Sequence, residues 1–468
     1  MKFLLNNNFI LGGKKAQSLY DRFAKNAPIY DYHCHLSAKE IYEDDTFKDI
    51  SSLWLGYDHY KWRTMRFAGV PEEYITGDGD GRTKFKMWAK TCERLIGSPL
   101  YHWANMELET YFGVEEILKE SNADNIYDRC NAKIKAEKLS PVKMIRDSNV
   151  KLICTTDDPV DSLEYHLLLR KNKEKGFEVL PTFRPDNALK ILNDDYIKYI
   201  RNLETSANIK IVTYEDMVIA LKKRIEFFRQ AGCVLSDHSL ESLVYIPADE
   251  GEISKIFMKR LNAEIVSIEE AEKYKVYTLS VLAGAYREAG WAMQLHIGAI
   301  RSTNDSMFRK VGADTGFDIM NDFQIAEPLS KLLNDMDRKN NLPKTILYTL
   351  NSKDNLVLSS LPHCFTEEGI PGKVQFGAAW WFNDHKEGIT SHLKAIADQG
   401  MLAYFVGMFT DSRSFLSYVR HDYFRRILCS FVGELVDKGE FEDDDALLGE
   451  IIEGISFRNI VGYLGLSI

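Results

Sequence analysis

Nowhere does the sequence carry a block of lysines and arginines that could neutralise successive phosphates, and its formal charge is -10. Nucleic acid is therefore a poor partner. No apolar run is long enough to span a membrane. The opening Met1-Lys2-Phe3-Leu4-Leu5 resembles a signal core for a few residues, but Asn6, Asn7 and Asn8 interrupt it before an h-region forms. Cysteine is sparse: seven scattered residues, odd in number and without CxxC spacing. Such usage suits reduced thiols in a cytoplasmic compartment and gives little weight to a structural zinc cluster. No Pro/Gly/Ser-rich linker, tandem repeat or low-complexity tract divides the chain.

What is present is a chain of 468 residues, beyond the size at which a single core normally stops growing, so one elaborated domain or two ordinary ones are expected. A hydrophobic fraction of 45% beside 27% charged residues permits a sizeable core. Short apolar runs alternate with longer segments of helical character, which implies βα units and a parallel sheet. Strands are expected at Ile29 to His35, Lys151 to Thr155, Glu178 to Phe183, Cys233 to Asp237, Met293 to Ile297, Thr345 to Leu350, Val374 to Ala379 and Ala403 to Phe409. Eight parallel strands fit an α/β chain closed into a (β/α)8 TIM-like barrel, a single domain over 1–468. More than a hundred residues separate the first two strands. Phe85, Trp88, Cys92 and Leu95 recur there at steps of three and four, one face of an amphipathic helix. Residues 37–148 are accordingly expected as a helical insertion after strand 1, on the face where barrels hold their sites. An independent second domain is the alternative.

Along a strand, the period of two turns His33 and His35 to one face and Cys34 to the other. Both imidazoles can then meet one transition-metal ion. HxH alone fits two hydrogen-bonded histidines at a strand end equally well. Polar groups recur at the other strand ends: Thr155 to Asp158, Arg184, Asp237 with His238, His296, Arg301, and Asp411 with Arg413. Each could merely cap a helix or pair with a neighbour, but a barrel would bring them all to one mouth. A metal there could take His33, His35 and Asp411, with His296 a fourth ligand or a hydrogen-bonding partner of substrate or water. Asp411 has a rival role as N-cap, since Ser412 to Arg425 reads as a helix. Arg184, Arg301 and Arg413 would draw an anionic substrate unless aspartates neutralise them. His59 and Tyr60, on the insertion, could fold over the mouth, and Tyr60 beside arginines can exchange protons if its pKa is lowered. Of Trp380 and Trp381, one is expected at the site, where it could stack on a sugar ring, and the other in packing.

The stretches DYHCHL at Asp31, LWLGYDHYKWRTMR at Leu53, GSPLYHWANMEL at Gly97, PTFRPD at Pro181, MQLHIGAIR at Met293, DTGFD at Asp314, PGKVQFGAAWWFNDH at Pro371 and FVGMFTDSRSFLSYVRHDYFRRIL at Phe405 resemble those of the uronate isomerase family. This family, often called glucuronate isomerase, lies within the amidohydrolase superfamily, and the resemblance extends over nearly the whole chain. It implies conversion of D-glucuronate to D-fructuronate and of D-galacturonate to D-tagaturonate at a mononuclear site, usually described with zinc. It puts the metal on His33, His35 and Asp411, with His296 less certain. Substrate binding and proton transfer fall on His59, Tyr60, Arg184, Asp237, Arg301, Trp380 and Arg413. Asp237 stands where a carboxylated lysine would bridge a binuclear hydrolase centre, which disfavours that chemistry. Tyr60 and Asp411 with Arg413 are assigned proton shuttling, and Arg184 and Arg301 charge stabilisation or carboxylate binding. The expected partner is a small-molecule hexuronate, and homo-oligomerisation is left open. The rival functions are a metal-dependent hydrolase of the same superfamily and a non-catalytic uronate-binding protein.

Overall fold

The structure, a computed structural model, describes residues 8–466. Among the described residues nine strands form in chain order: β1 (Ile29–Asp31), β2 (Val150–Cys154), β3 (Glu178–Leu180), β4 (Leu235–Leu240), β5 (Ala292–Ile297), β6 (Ala299–Ile300), β7 (Ile319–Met320), β8 (Lys344–Thr349) and β9 (Val374–Phe376). All but the short antiparallel pair β6–β7 run parallel, in one sheet ordered β1-β2-β3 and another ordered β4-β5-β8-β9. Both β4 and β5 are buried along their whole length, as parallel strands covered on two faces must be. Phe183 joins the sheets by parallel bridges to Asp157 and Ser236, and its NH donates to Leu235 O at 3.1 Å. Seven parallel strands thus follow one another in sequence order.

The expected strand at Ala403 to Phe409 does not form. Leu402–Tyr404 is a 3-10 turn, and the residues after it belong to no strand. Gly407 explains the interruption: its φ of +81° is outside the extended region, and a Cβ there would lie 2.1 Å from Ile455 O. Even so, the end of this segment runs beside the residues following β1, with Asp411 N donating to His33 O at 3.1 Å and His35 N to Ser412 O at 2.9 Å. Among the described residues no ladder closes the sheets into a ring. The fold shown is a mixed α/β fold with parallel sheets.

Between β1 and β2 the described elements are all helical. The helices used below are α1 (His59–Phe67), α2 (Gly81–Cys92), α3 (Pro99–Phe112) and α4 (Val419–Asp437). Asp80 caps α2 by accepting from Thr83 N, which satisfies one of the free amides at its start. Its Phe85, Trp88 and Cys92 are buried, while Leu95 lies past the helix end and is half-buried. Phe85 and Trp88 pack on Trp54, with ring centroids 5.6 and 6.1 Å away. Burial of such aromatic faces, each contributing about 1.5–3 kcal/mol, packs these helices on one another within one continuous hydrophobic core.

Candidate active site

His33 and His35 lie just beyond β1, where the chain stays tied on both sides: Cys34 N donates to Cys154 O at 2.9 Å and His35 N to Ser412 O at 2.9 Å. The alternation survives the end of the strand, so Cys34 is buried while both imidazoles reach Asp411. His33 Nε2 is 3.2 Å and His35 Nε2 is 3.0 Å from Asp411 Oδ1. The second oxygen, Oδ2, accepts from both indoles, from Trp380 Nε1 at 2.6 Å and also from Trp381 Nε1. Both tryptophans therefore belong to the site, not one alone. Asp411 is no N-cap either, because the helix expected from Ser412 begins only at Val419.

Burial alone would raise the Asp411 carboxyl, but the hydrogen bonds from His33 and His35 outweigh it and hold the group well below the usual carboxylate range. Burial pushes His35 down to about 4, which keeps its imidazole neutral and able to bind a metal. His296 offers a further nitrogen: its Nδ1 is 2.6 Å from Asp237 Oδ1, and its Nε2 is buried without a protein partner. Its ring stacks on Tyr348 at 4.3 Å and lies 4.5 Å from His33. Two sets of three donors have their atoms within 4.8 Å of one another: His33, His35 and Asp411, and His33, Asp237 and His296. The first fits one tetrahedral ion, whose ligand atoms stand about 3.4 Å apart when each bond is about 2.1 Å.

Each arginine expected at the mouth is paired to an aspartate. Arg184 Nε donates to Asp186 Oδ2 at 2.9 Å, and its Nη1 lies 3.3 Å from Asp237 Oδ2. Arg301 Nη1 donates to Asp318 Oδ2 at 3.1 Å, and the guanidinium sits 4.7 Å over the Trp381 ring. Arg413 Nη2 donates to Asp314 Oδ2 at 3.1 Å, and Asp314 also approaches Arg301 at 3.6 Å. Three arginines do converge on the candidate metal-binding group, but they arrive largely neutralised.

Asp58 caps α1 by accepting from Tyr60 N and Lys61 N, which aims His59 and Tyr60 at the mouth. The His59 ring stacks on Tyr60 at 4.8 Å and meets Trp381 edge-on at 5.2 Å. Arginine does not lower the Tyr60 phenol as expected. Burial raises it well above its ordinary value, and Arg420 opposes that only in part. Tyr60 is thus a protonated donor and a poor base. Two other sequence candidates stay outside this group. Thr155 Oγ1 donates to Asp157 Oδ2 at 2.7 Å and contacts His166 Nε2 at 2.7 Å, a buried local cluster, while His238 packs on Tyr286 at 5.6 Å.

The profile of the glucuronate isomerase family matches residues 1–464. The chain belongs to the glucuronate isomerase family. Uronate isomerase of Caldanaerobacter subterraneus subsp. tengcongensis is 50% identical over 465 residues, 99% of this chain and 100% of its own. Uronate isomerase of Bacillus subtilis is 50% identical over 463 residues, 99% of this chain and 98% of its own. The crystal structure of uronate isomerase from Thermotoga maritima superposes with a TM-score of 0.92 at 34% identity, covering 99% of this chain and 100% of that one.

In this member of the glucuronate isomerase family, several residues around the site had no signal in single-sequence reasoning. Asp314 and Asp318 lay inside a stretch already quoted but had no partner until the chain folded, whereas Trp381 was already a candidate for the site or for packing. Arg420 looked like one more charge on a helix, yet it is 1% exposed and packs over Tyr60. Asp58 did carry a signal, as an acidic residue directly before a helical segment.

Proposed function

We propose that the protein interconverts D-glucuronate and D-fructuronate, and D-galacturonate and D-tagaturonate, as an aldose-ketose isomerase in hexuronate catabolism. The observation that carries the reading is full-length relationship to uronate isomerases at 50% identity in a chain whose His33, His35 and Asp411 converge. On this reading the seven parallel strands, with residues 405–411 beside β1, make a (β/α)8 barrel spanning 1–468 as one domain. Residues 37–148 are its helical insertion. The protein acts in the cytoplasm; no helix among the described residues is long and apolar enough to cross a membrane.

His33, His35 and Asp411 would hold one divalent ion, which we take to be zinc, with His296 beside them as ligand or substrate contact. Such an ion supplies Lewis-acid charge to a substrate oxygen. Arg184, Arg301 and Arg413 receive the sugar acid by exchanging aspartate partners for its carboxylate and hydroxyl oxygens, a match suited to guanidinium forks. Asp237, His59 and Trp380 complete the substrate wall. Asp411 with Arg413 accepts the carbon-2 proton and returns it at carbon 1. Tyr60 donates its phenolic proton to O1 as the enediol forms and is reprotonated from the O2 hydroxyl as the ketone appears, so no proton is gained or lost overall. A carboxylate held far below its usual range is a weak base, so this step depends on Arg184 and Arg301 stabilising the developing enediolate charge.

The hydrolase and the non-catalytic binding readings are not favoured, since the full-length relatives are isomerases. Purified protein incubated with D-glucuronate in deuterated water and followed by NMR is expected to form fructuronate. Unchanged glucuronate with metal-replete protein refutes the assignment.

A further inference from the structure

Behind Tyr60 lies a buried cation that the reaction scheme above does not use. Arg420, the second residue of α4, places its guanidinium 4.2 Å over the Trp103 ring and 5.3 Å over the Tyr60 ring. Its Nη1 donates to Thr410 O at 3.2 Å, and its Nη2 comes no closer than 4.0 Å to Asp58 Oδ2. Nε is buried without a protein partner, as is Oδ1 of nearby Asp384. A guanidinium so incompletely paired is expensive to bury, and an apolar side chain of similar volume would fill the same space at lower cost. Packing alone does not account for it.

Its placement does. Thr410 precedes Asp411 and is itself pinned: its carbonyl accepts from Arg420, while its NH and hydroxyl donate to Asp31 at 2.8 and 2.6 Å. Arg420 therefore ties the Tyr60 ring to the strand-end loop that carries Asp411. The charged and titratable groups that influence Tyr60 come from four elements: Asp58, His59 and Arg63 at or on α1, Asp384 after β9, Asp411 on the loop, and Arg420 on α4. The three carboxylates disfavour loss of the phenolic proton, and Arg420 is the principal cation opposing them.

We propose that Arg420 is a positioning residue for Tyr60: it holds the ring against the Asp411 loop and supplies the positive charge that faces the phenol as its proton leaves. The inference rests on the reading of Tyr60 as proton donor, and a double-mutant cycle separates the two. Arg420→Met is expected to lower kcat about thirtyfold, the scale of a desolvated cation-ring interaction, with KM changed by less than about twofold. Placed on Tyr60→Phe, the same substitution should cost less than about twofold, because the group it acts through is gone. Arg420→Lys keeps the charge and should recover most of kcat. Equal fold losses in the parent and in the Tyr60→Phe background, or a change in KM alone, overturn the inference while leaving the donor reading intact. Normal turnover by Tyr60→Phe alone removes the donor reading and the inference with it. Should Arg420→Met fail to fold, Arg420→Gln, which removes the charge but keeps hydrogen-bonding reach, takes its place in both backgrounds: its kcat deficit must vanish in Tyr60→Phe, and an equal deficit in both, or none in the parent, refutes the proposal.

Discussion

Replacing Lys61 by methionine tests whether the charges behind the mouth hold α1 in place. Lys61 is 1% exposed, with Nζ 2.6 Å from Asp58 Oδ2 and 3.6 Å from Glu107 Oε2. Methionine fills a similar volume but leaves two buried carboxylates without their cation. Breaking a buried pair costs about 3–5 kcal/mol. Arg420 remains 4.0 Å from Asp58 and the Trp54 indole still donates to Glu107, so the lower end, about 3 kcal/mol, is expected near pH 8. An unfolding entropy of about 2.1 cal/mol/K per residue, or ~1 kcal/mol/K for this chain, makes that a Tm loss of about 3 °C.

The pH dependence sharpens the test. In the parent protein burial would raise Asp58, but Lys61 and Arg420 outweigh it and hold the group below its usual value. Its folded form binds fewer protons than the unfolded chain, so that stability is present above the ordinary aspartate pKa and is lost as pH falls through the lowered one. Glu107 runs the other way: burial raises it despite Lys61, and its ionisation costs stability as pH rises. Without Lys61, Asp58 joins Glu107 in that second behaviour. The deficit of the variant, measured by urea or thermal melts followed by circular dichroism, should be largest near pH 8 and shrink toward pH 5. A loss under about 1 kcal/mol at pH 8, or a deficit that grows on acidification, refutes the reasoning.

Other outcomes follow from the same geometry. Asp411→Asn should leave a protein that folds but loses bound metal by elemental analysis, and full retention would count against His33, His35 and Asp411 as the ligand set. Trp381→Phe removes one indole donor from Asp411 and weakens the ring under Arg301. It should lower activity or metal affinity about 10-fold or more, the usual scale for a residue that orients a ligand. Phe85→Ala, with a fully buried side chain against Trp54, should cost about 3–5 kcal/mol, and a loss below about 1 kcal/mol on urea titration would mean α2 is not fastened to its neighbouring helices there.

Much of the frame was legible because periodicity is a local property. Seven strand positions could be read within a few residues, since each is a short apolar run bounded by a helical segment. The eighth could not, because the extended run over Ala403 to Phe409 is interrupted by Gly407, whose conformation is set by the approach of Ile455 from elsewhere in the fold. His33 and His35 were recognisable as a pair from spacing alone. The pairing of both Trp380 and Trp381 with one oxygen of Asp411 was not, since neither indole has a partner until residues 380 and 411 meet.

By itself the sequence determined the family and the parallel α/β plan and singled out His33, His35 and Asp411 as candidate metal donors, which the fold brings together, because long ordered motifs and a period of two need no knowledge of distant contacts. Tertiary structure alone decided the electrostatics. It paired Arg184, Arg301 and Arg413 with aspartates, and it buried Tyr60 so that its phenol is raised, not lowered. A residue's type follows from its position in the chain, whereas its proton affinity depends on the charges and the solvent that folding brings near or shuts out.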